Sequence, residues 1–243
     1  MDKEVKAYVV IPCYNEEEVL HETCRQLLIV FDEMRKERLI TDSSRIVFVD
    51  DGSRDRTWEI IEELSEKHEE VRGIKLAHNA GHQNALFGGL MTVREECDCA
   101  ISIDADLQDD IRAIPEMIRK YREGCEVVYG VRNKRDTDTF FKRTTALGFY
   151  KLMKLMGVNM VYNHADYRLM GKRALEGLSE FEERNLFLRG MVPLIGYKSD
   201  CVYYDRHERF AGESKYPLKK MLAFAFDGIT SFSINPIRAI STV

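Results

Sequence analysis

The 243-residue sequence predicts a mostly parallel α/β sheet with helices on both faces, on three observations. Continuous apolar runs of strand length recur through the first half, as strands buried on both faces require. Each run gives way to a stretch with helical periodicity. The links that follow the apolar runs are rich in Asp, Asn, Gly and Glu. In such a sheet right-handed crossovers gather these links at one edge, where ligands bind.

Ala7 to Pro12 reads as the first strand. Asn15 is placed to cap the next helix, with Glu16, Glu17 and Glu18 in the first turn, where the helix dipole favours acids. Apolar Val19, Leu20, Leu27, Leu28, Phe31 and Met34 carry that helix to about Lys36. Arg45 to Asp50 is a second strand, and Asp55 opens a helix with Trp58, Ile61 and Leu64 on one face. Val71 to Ala77 follows as a strand, Asn84 to Glu95 as a helix, Ala100 to Asp104 as a strand, Ile114 to Arg122 as a helix, and Glu126 to Val131 as a strand. Beyond Gly130 the rhythm changes. Phe140 to Gly157 is amphipathic, aromatic and basic, which suits a core-facing helix or a membrane interface. Short strands are expected near Tyr167 to Met170 and Asp200 to Tyr204, and a last helix from Pro217.

The net charge of −5 conceals an asymmetry. Residues 1–131 hold 17 Lys/Arg against 29 Asp/Glu, whereas residues 132–243 hold 19 against 12. The second half is therefore expected to meet something anionic, and the acidic first half argues against nucleic acid. No run of about 18 uncharged apolar residues is present, so no transmembrane helix is expected within the sequence. The six cysteines lack metal-ligand spacing. With no signal peptide they read as reduced cytosolic thiols.

The chemistry centres on Asp104 and Asp106, two acids at the end of an apolar run. Alternation along a strand puts both on one face, with Gln108 continuing the series. The residues alone leave two readings open: oxygen ligands for a hard divalent cation beside a phosphate, or an acidic loop capping the helix near Ile111. The loops at 12–16 and 50–57 leave a similar choice between ligand contact and helix capping. No GxGxxG follows the first strand and no GxxxxGK[ST] occurs anywhere, which excludes the dinucleotide and P-loop signatures. His78 and His82 read as polar loop residues.

Eight stretches in order, VVIPCYNEE (9–17), VDDGSRDRT (49–57), HNAGHQNAL (78–86), DADLQDD (104–110), GVRNKRD (130–136), ADYRLM (165–170), RNLFLRG (184–190) and RFAGESKYPLKKM (209–221), resemble the motifs of family-two glycosyltransferases with the GT-A fold. The last three narrow the resemblance to the polyisoprenyl-phosphate glycosyltransferases. It implies a Rossmann-like GT-A catalytic domain over 1–216 and a juxtamembrane extension over 217–243, with membrane helices expected beyond it.

The resemblance also implies roles. Pro12, Tyr14, Glu16, Asp51, Asp104 and Ala105 would surround the nucleotide sugar, with Asp51 facing the base. Asp104, Asp106 and Gln108 would hold Mg²⁺ or Mn²⁺. Asp166, Arg168 and Asp106 would stand at the reaction centre, with Asp166 a base or an orienting group. Arg132 and Arg143 would hold a lipid phosphate, and Arg209 and Lys215 would close over the diphosphate. The expected partners are a nucleotide sugar, a polyprenyl phosphate and the cytoplasmic face of the cell membrane, with homo-oligomerisation open. His82 departs from the pattern, standing where many relatives carry a basic residue.

Overall fold

A computed structural model describes residues 4–133, 164–182 and 186–206. The expected elements at 140–157 and from Pro217 onward, and the site candidates Arg143, Arg209 and Lys215, lie outside the described residues, as does the boundary placed at 216.

Seven strands form one sheet: β1 (Ala7–Cys13), β2 (Arg45–Asp50), β3 (Val71–Lys75), β4 (Cys99–Ser102), β5 (Val127–Arg132), β6 (His164–Gly171) and β7 (Ser199–Tyr204). Their order is β3-β2-β1-β4-β6-β5-β7. Among these strands only β6 is reversed, pairing antiparallel with both β4 and β5. The remaining pairs are parallel.

The apolar runs are continuous because the inner strands are covered on both sides. On β1, Val9 and Ile11 join one core and Tyr8 and Val10 the other. On β2, Ile46 and Phe48 alternate with Val47 and Val49 in the same way. Helices α1 (Leu20–Lys36), α2 (Thr57–Lys67) and α4 (Ile114–Arg122) cover the first face. Helix α3 (His82–Val93) and two short helices, α5 (Lys172–Ser179) and α6 (Leu188–Leu194), cover the second. The last two were not anticipated from the sequence.

Asn15 does not cap α1, which begins five residues later at Leu20 with no side-chain cap. It sits instead at φ 53°, and its side chain ties two loops together. Its Oδ1 accepts the Arg54 N–H at 2.8 Å and its own N–H donates to Ser53 Oγ at 3.0 Å. The Glu16 N–H donates to Thr57 Oγ1 at 2.8 Å. The loops after β1 and β2 are thus locked to each other at the carboxyl edge. Asp55 does serve the start of α2, its Oδ1 accepting the Thr57 N–H at 3.0 Å.

Gly52 makes a third loop fit. At φ 66°, a Cβ there would lie 2.7 Å from the Asn79 backbone nitrogen. Gly52→Ala should therefore lower stability by about 1–3 kcal/mol, through strain at a left-handed position and displacement of the 78–79 backbone. Thermal melting checks this, and an unchanged midpoint would show that the loop contact is dispensable.

Candidate active site

The antiparallel entry of β6 builds the site. Ser102 on β4 pairs with Arg168 on β6. Extending that register by two residues sets residue 104 against residue 166, past the end of β4. Ser102 Oγ donates to the Asp166 carbonyl and fixes this junction. A carboxylate from the start of β6 is thereby delivered to the edge where the parallel strands end.

A cleft of about 410 Å³ opens there. It is lined by Pro12, Tyr14 and Glu16 from the first loop, Asp51 from the second, and Asp104, Ala105 and Asp106 after β4. Asp166 also faces it. The sequence had named all eight. Cys13, Asn79, Gly81, His82 and Arg189 complete the lining.

Asp51 is 2% exposed, and its two oxygens accept the Ala80 and Gly81 N–H groups at 2.6 and 3.0 Å. Burial pushes its carboxyl up, against the pull of those two donors. The residue expected to face a base therefore also clamps the turn that starts α3.

His82 is more than a polar loop residue. It opens α3 with its Nε2 3.6 Å from Asp104 Oδ1 and 3.7 Å from Asp166 Oδ2. Burial by itself lowers its pKa, but Asp166 and Asp104 outweigh that and raise it to about 9. The two carboxylates thus favour the protonated form of His82.

Asp166 is 6% exposed and collects donors from three elements. Arg168 NH2 and Arg189 Nε share Oδ1, the latter at 3.3 Å. Oδ2 accepts from Gln83 Nε2 at 3.1 Å and from Arg189 NH2 at 3.2 Å. Burial would raise this carboxyl, but Arg189, His82 and Arg168 together hold it well below the usual carboxylate range. Arg168 was expected at the reaction centre. It is 1% exposed, lies behind Asp166, and donates its NH1 to the Leu188 carbonyl at 3.1 Å. Its place on β6, two residues from Asp166, puts both on one face. It therefore positions Asp166 rather than facing the cleft.

Two other expectations meet different surroundings. Arg132 is held bidentately by Asp109, with Nε and NH2 at 2.9 and 3.1 Å from its two oxygens. The Tyr204 hydroxyl also donates to that 3%-exposed carboxylate, at 2.7 Å. This ion pair fastens the loop after β4 to β5 and β7. Gln108 Oε1 accepts from the Arg206 guanidinium, while the Gln108 N–H donates to Asp106 Oδ1 at 3.1 Å.

The carboxylates suit a hard cation. Burial pushes the Asp104 carboxyl up, His82 opposes this, and Asp109, Asp166 and Asp106 push it further. Such a group gains from a cation at its oxygens. Among the described residues no three His, Cys, Asp or Glu side chains converge as a complete metal cage. Two carboxylates in an open cleft match Mg²⁺-type sites, where one or two protein carboxylates share the ion with substrate phosphates.

Arg189 and Gln83 were not anticipated as site residues. Both lie within quoted motifs, RNLFLRG (184–190) and HNAGHQNAL (78–86), and their meeting at Asp166 depends on contacts 23 and 83 residues apart along the chain.

A family model described as Glycosyl transferase family 2 matches residues 8–178. The chain is 62% identical over 230 residues to "Uncharacterized glycosyltransferase YkoT" of Bacillus subtilis (strain 168), covering 95% of this chain and 68% of that one. It is 39% identical over 238 residues to "Bactoprenol glucosyl transferase" of Shigella phage SfV, covering 96% and 74% respectively. Solved structures share the fold. A mannosyltransferase from Pyrobaculum calidifontis in complex with GDP-Man and Mn²⁺ superposes with a TM-score of 0.60 at 17% identity, over 87% of this chain and 59% of that one. Glucosyl-3-phosphoglycerate synthase from Mycobacterium tuberculosis in complex with Mn²⁺, UDP and glucosyl-3-phosphoglycerate gives 0.57 at 17% identity, over 93% and 78%.

Proposed function

The chain belongs to glycosyl transferase family 2, and on that premise we propose that it moves a hexosyl group from a nucleotide sugar, a UDP-sugar, to a polyprenyl phosphate at the cytoplasmic membrane face. The observation that carries the reading is the meeting of Asp104, Asp106, His82, Asp166 and Arg189 in one cleft at the carboxyl edge of the sheet. The name of the phage relative supports the acceptor and the glucosyl unit. The UDP complex among the structural neighbours supports the donor. No helix among the described residues is long and apolar enough to cross a membrane.

In this reading one oxygen of the acceptor phosphate attacks the anomeric carbon while the bond from that carbon to the diphosphate oxygen breaks, with inversion. Asp104 and Asp106 would hold Mg²⁺ or Mn²⁺, which supplies neutralisation of the charge gathering on the departing diphosphate. Pro12, Tyr14 and Glu16 form the wall beside the nucleoside, and Asp51 keeps the 80–81 turn against it. His82 stands at the start of α3 beside Asp104 and Asp166, where the helix dipole is positive. The acceptor phosphate is already ionised near neutral pH, so no base need remove a proton from it. Asp166, bonded to two guanidiniums and an amide, organises cations instead.

Donor screening with Mn²⁺ by thermal shift, followed by a transfer assay on polyprenyl phosphate, tests the function. A donor present at about 100 times its Kd should stabilise the protein by about 2.7 kcal/mol. UDP-glucose is expected to raise the melting midpoint more than GDP-mannose, and EDTA to abolish the rise. A larger shift with GDP-mannose would overturn the donor assignment. Transfer to a free sugar hydroxyl but not to the lipid phosphate would overturn the acceptor assignment.

A further inference from the structure

Resting on the reading that the acceptor is a phosphate monoester, we propose that Arg189 is the residue that takes this phosphate, passing its guanidinium from Asp166 to the acceptor. Two arginines serve the same carboxylate, and their access differs. The Arg168 side chain is 1% exposed and the Arg189 side chain 34%. Arg168 is also pinned at its other end by the Leu188 carbonyl, whereas Arg189 lines the cleft beside Asp104 and Asp106.

The bonds from Arg189 to Asp166 are long. They measure 3.3 and 3.2 Å, against the roughly 2.7–2.9 Å of a strong charge-assisted bond. Its departure strands no buried charge, because Asp166 keeps Arg168 and Gln83. Removing one partner of a buried pair is costly mainly when the other is left uncompensated. Arg132 is in the opposite position: its release would leave the buried Asp109 carboxylate with the Tyr204 hydroxyl as its remaining donor among those described above.

The pivot of Arg189 is fixed. The adjoining Leu188 N–H donates to Gln83 Oε1 at 3.1 Å while its carbonyl accepts from Arg168. The guanidinium can therefore change partner without its backbone moving. Its planar fork matches two phosphate oxygens as it matches two carboxylate oxygens. The exchange also selects a class of acceptor. A phosphate near its second ionisation competes with Asp166 for the fork, whereas a neutral hydroxyl does not. Without that cation, Asp104, Asp106 and Asp166 would repel an anionic acceptor.

The test uses Arg189→Ala and Arg189→Lys, with Mn²⁺, UDP-glucose and a short-chain polyprenyl phosphate. Losing a charged bidentate contact should raise the KM for the lipid phosphate roughly tenfold to a hundredfold in Arg189→Ala, and less in Arg189→Lys, which keeps a point charge but not the fork. The calorimetric Kd of UDP is expected to stay within about threefold, since the proposal places the contact on the acceptor. An unchanged acceptor KM with reduced kcat would show that Arg189 only supports Asp166 and would overturn the proposal. Equally adverse is a tenfold weaker UDP Kd, which would move Arg189 to the diphosphate. If the unaltered protein uses only hydroxyl acceptors, the acceptor reading fails by itself. Titration of inorganic phosphate followed by ³¹P NMR then decides Arg189: weaker binding in both variants supports the phosphate contact, and equal binding removes it. Melting curves of both variants accompany the kinetics, and Arg189→Lys carries the comparison if the alanine variant does not fold.

Discussion

Asp106→Ala is expected to reduce glycosyl transfer by at least about a thousandfold at saturating donor, the scale on which loss of transition-state charge stabilisation acts. The physical reason lies in where charge appears. Bond cleavage at the anomeric carbon leaves the diphosphate oxygen with a growing negative charge, in a cleft already lined by Asp104, Asp106 and Asp166. Such a cleft favours the departing group only when a divalent cation sits between. Asp106 is the informative position because it lines the cleft and its Oδ1 accepts the Gln108 N–H at 3.1 Å within its own loop. Loss of that bond costs about 1 kcal/mol, and a melting curve of the variant shows whether it remains folded while losing transfer. Asp104 is less clean, since it also faces His82. Transfer measured against Mn²⁺ concentration checks the claim. Full activity in Asp106→Ala, or EDTA-insensitive transfer by the unaltered chain, would remove the metal from the reaction.

The first half of the fold was legible because each parallel strand is covered on both faces. Continuous apolar runs at 7–12 and 45–50 end where the chemistry begins, and the observed β1 and β2 follow them within a residue. The loop residues Pro12, Tyr14, Asp51, Asp104 and Asp106 could be placed at one edge on topology alone. The reversal of β6 was not legible. A strand's direction depends on how the chain returns to the sheet, and the side chains at 167–170 look the same whichever way the strand runs. Yet that reversal is what sets Asp166 opposite Asp104. Helices α5 and α6 were missed because they are short, at 8 and 7 residues, and short segments give weak periodicity.

Within the site, residue type was a poorer guide than partner. Arg132 was expected to hold a lipid phosphate and Arg168 to stand at the reaction centre. One is clamped by Asp109 and the other is buried behind Asp166. Asn15 had the composition of a helix cap, yet its amide bridges two loops. In each case the sequence shows a hydrogen-bonding capacity, and long-range packing decides where it is used. Arg189 carried no sign of its own beyond its motif. Its position follows from the Gln83 and Arg168 contacts that pin Leu188.

Asp166→Ala should be the most damaging single change to the fold of the site. It leaves Arg168, a guanidinium 1% exposed, without the carboxylate that bonds it. Stripping the partner from a buried ion pair costs about 3–5 kcal/mol. For a chain of this size that lowers the thermal midpoint by roughly 6–20 °C. Asp166→Asn separates structure from chemistry. The amide oxygen can still accept from Arg168 or Gln83, so part of the stability returns, but the charge that gathers Arg168, Arg189 and His82 is gone. If Asp166 organises these cations for a phosphate acceptor, Asp166→Asn should shift the acceptor KM, downward where release of Arg189 from its competitor dominates and upward where loss of the gathered charge does, and retain measurable transfer at high acceptor concentration. If Asp166 instead removes a proton from a hydroxyl acceptor, Asp166→Asn should lose about a hundredfold to ten-thousandfold in kcat with acceptor KM unchanged. Measuring the two parameters separately on polyprenyl phosphate distinguishes the outcomes, because positive charge held near an anionic acceptor governs its affinity, whereas a missing base governs the rate once the acceptor is bound.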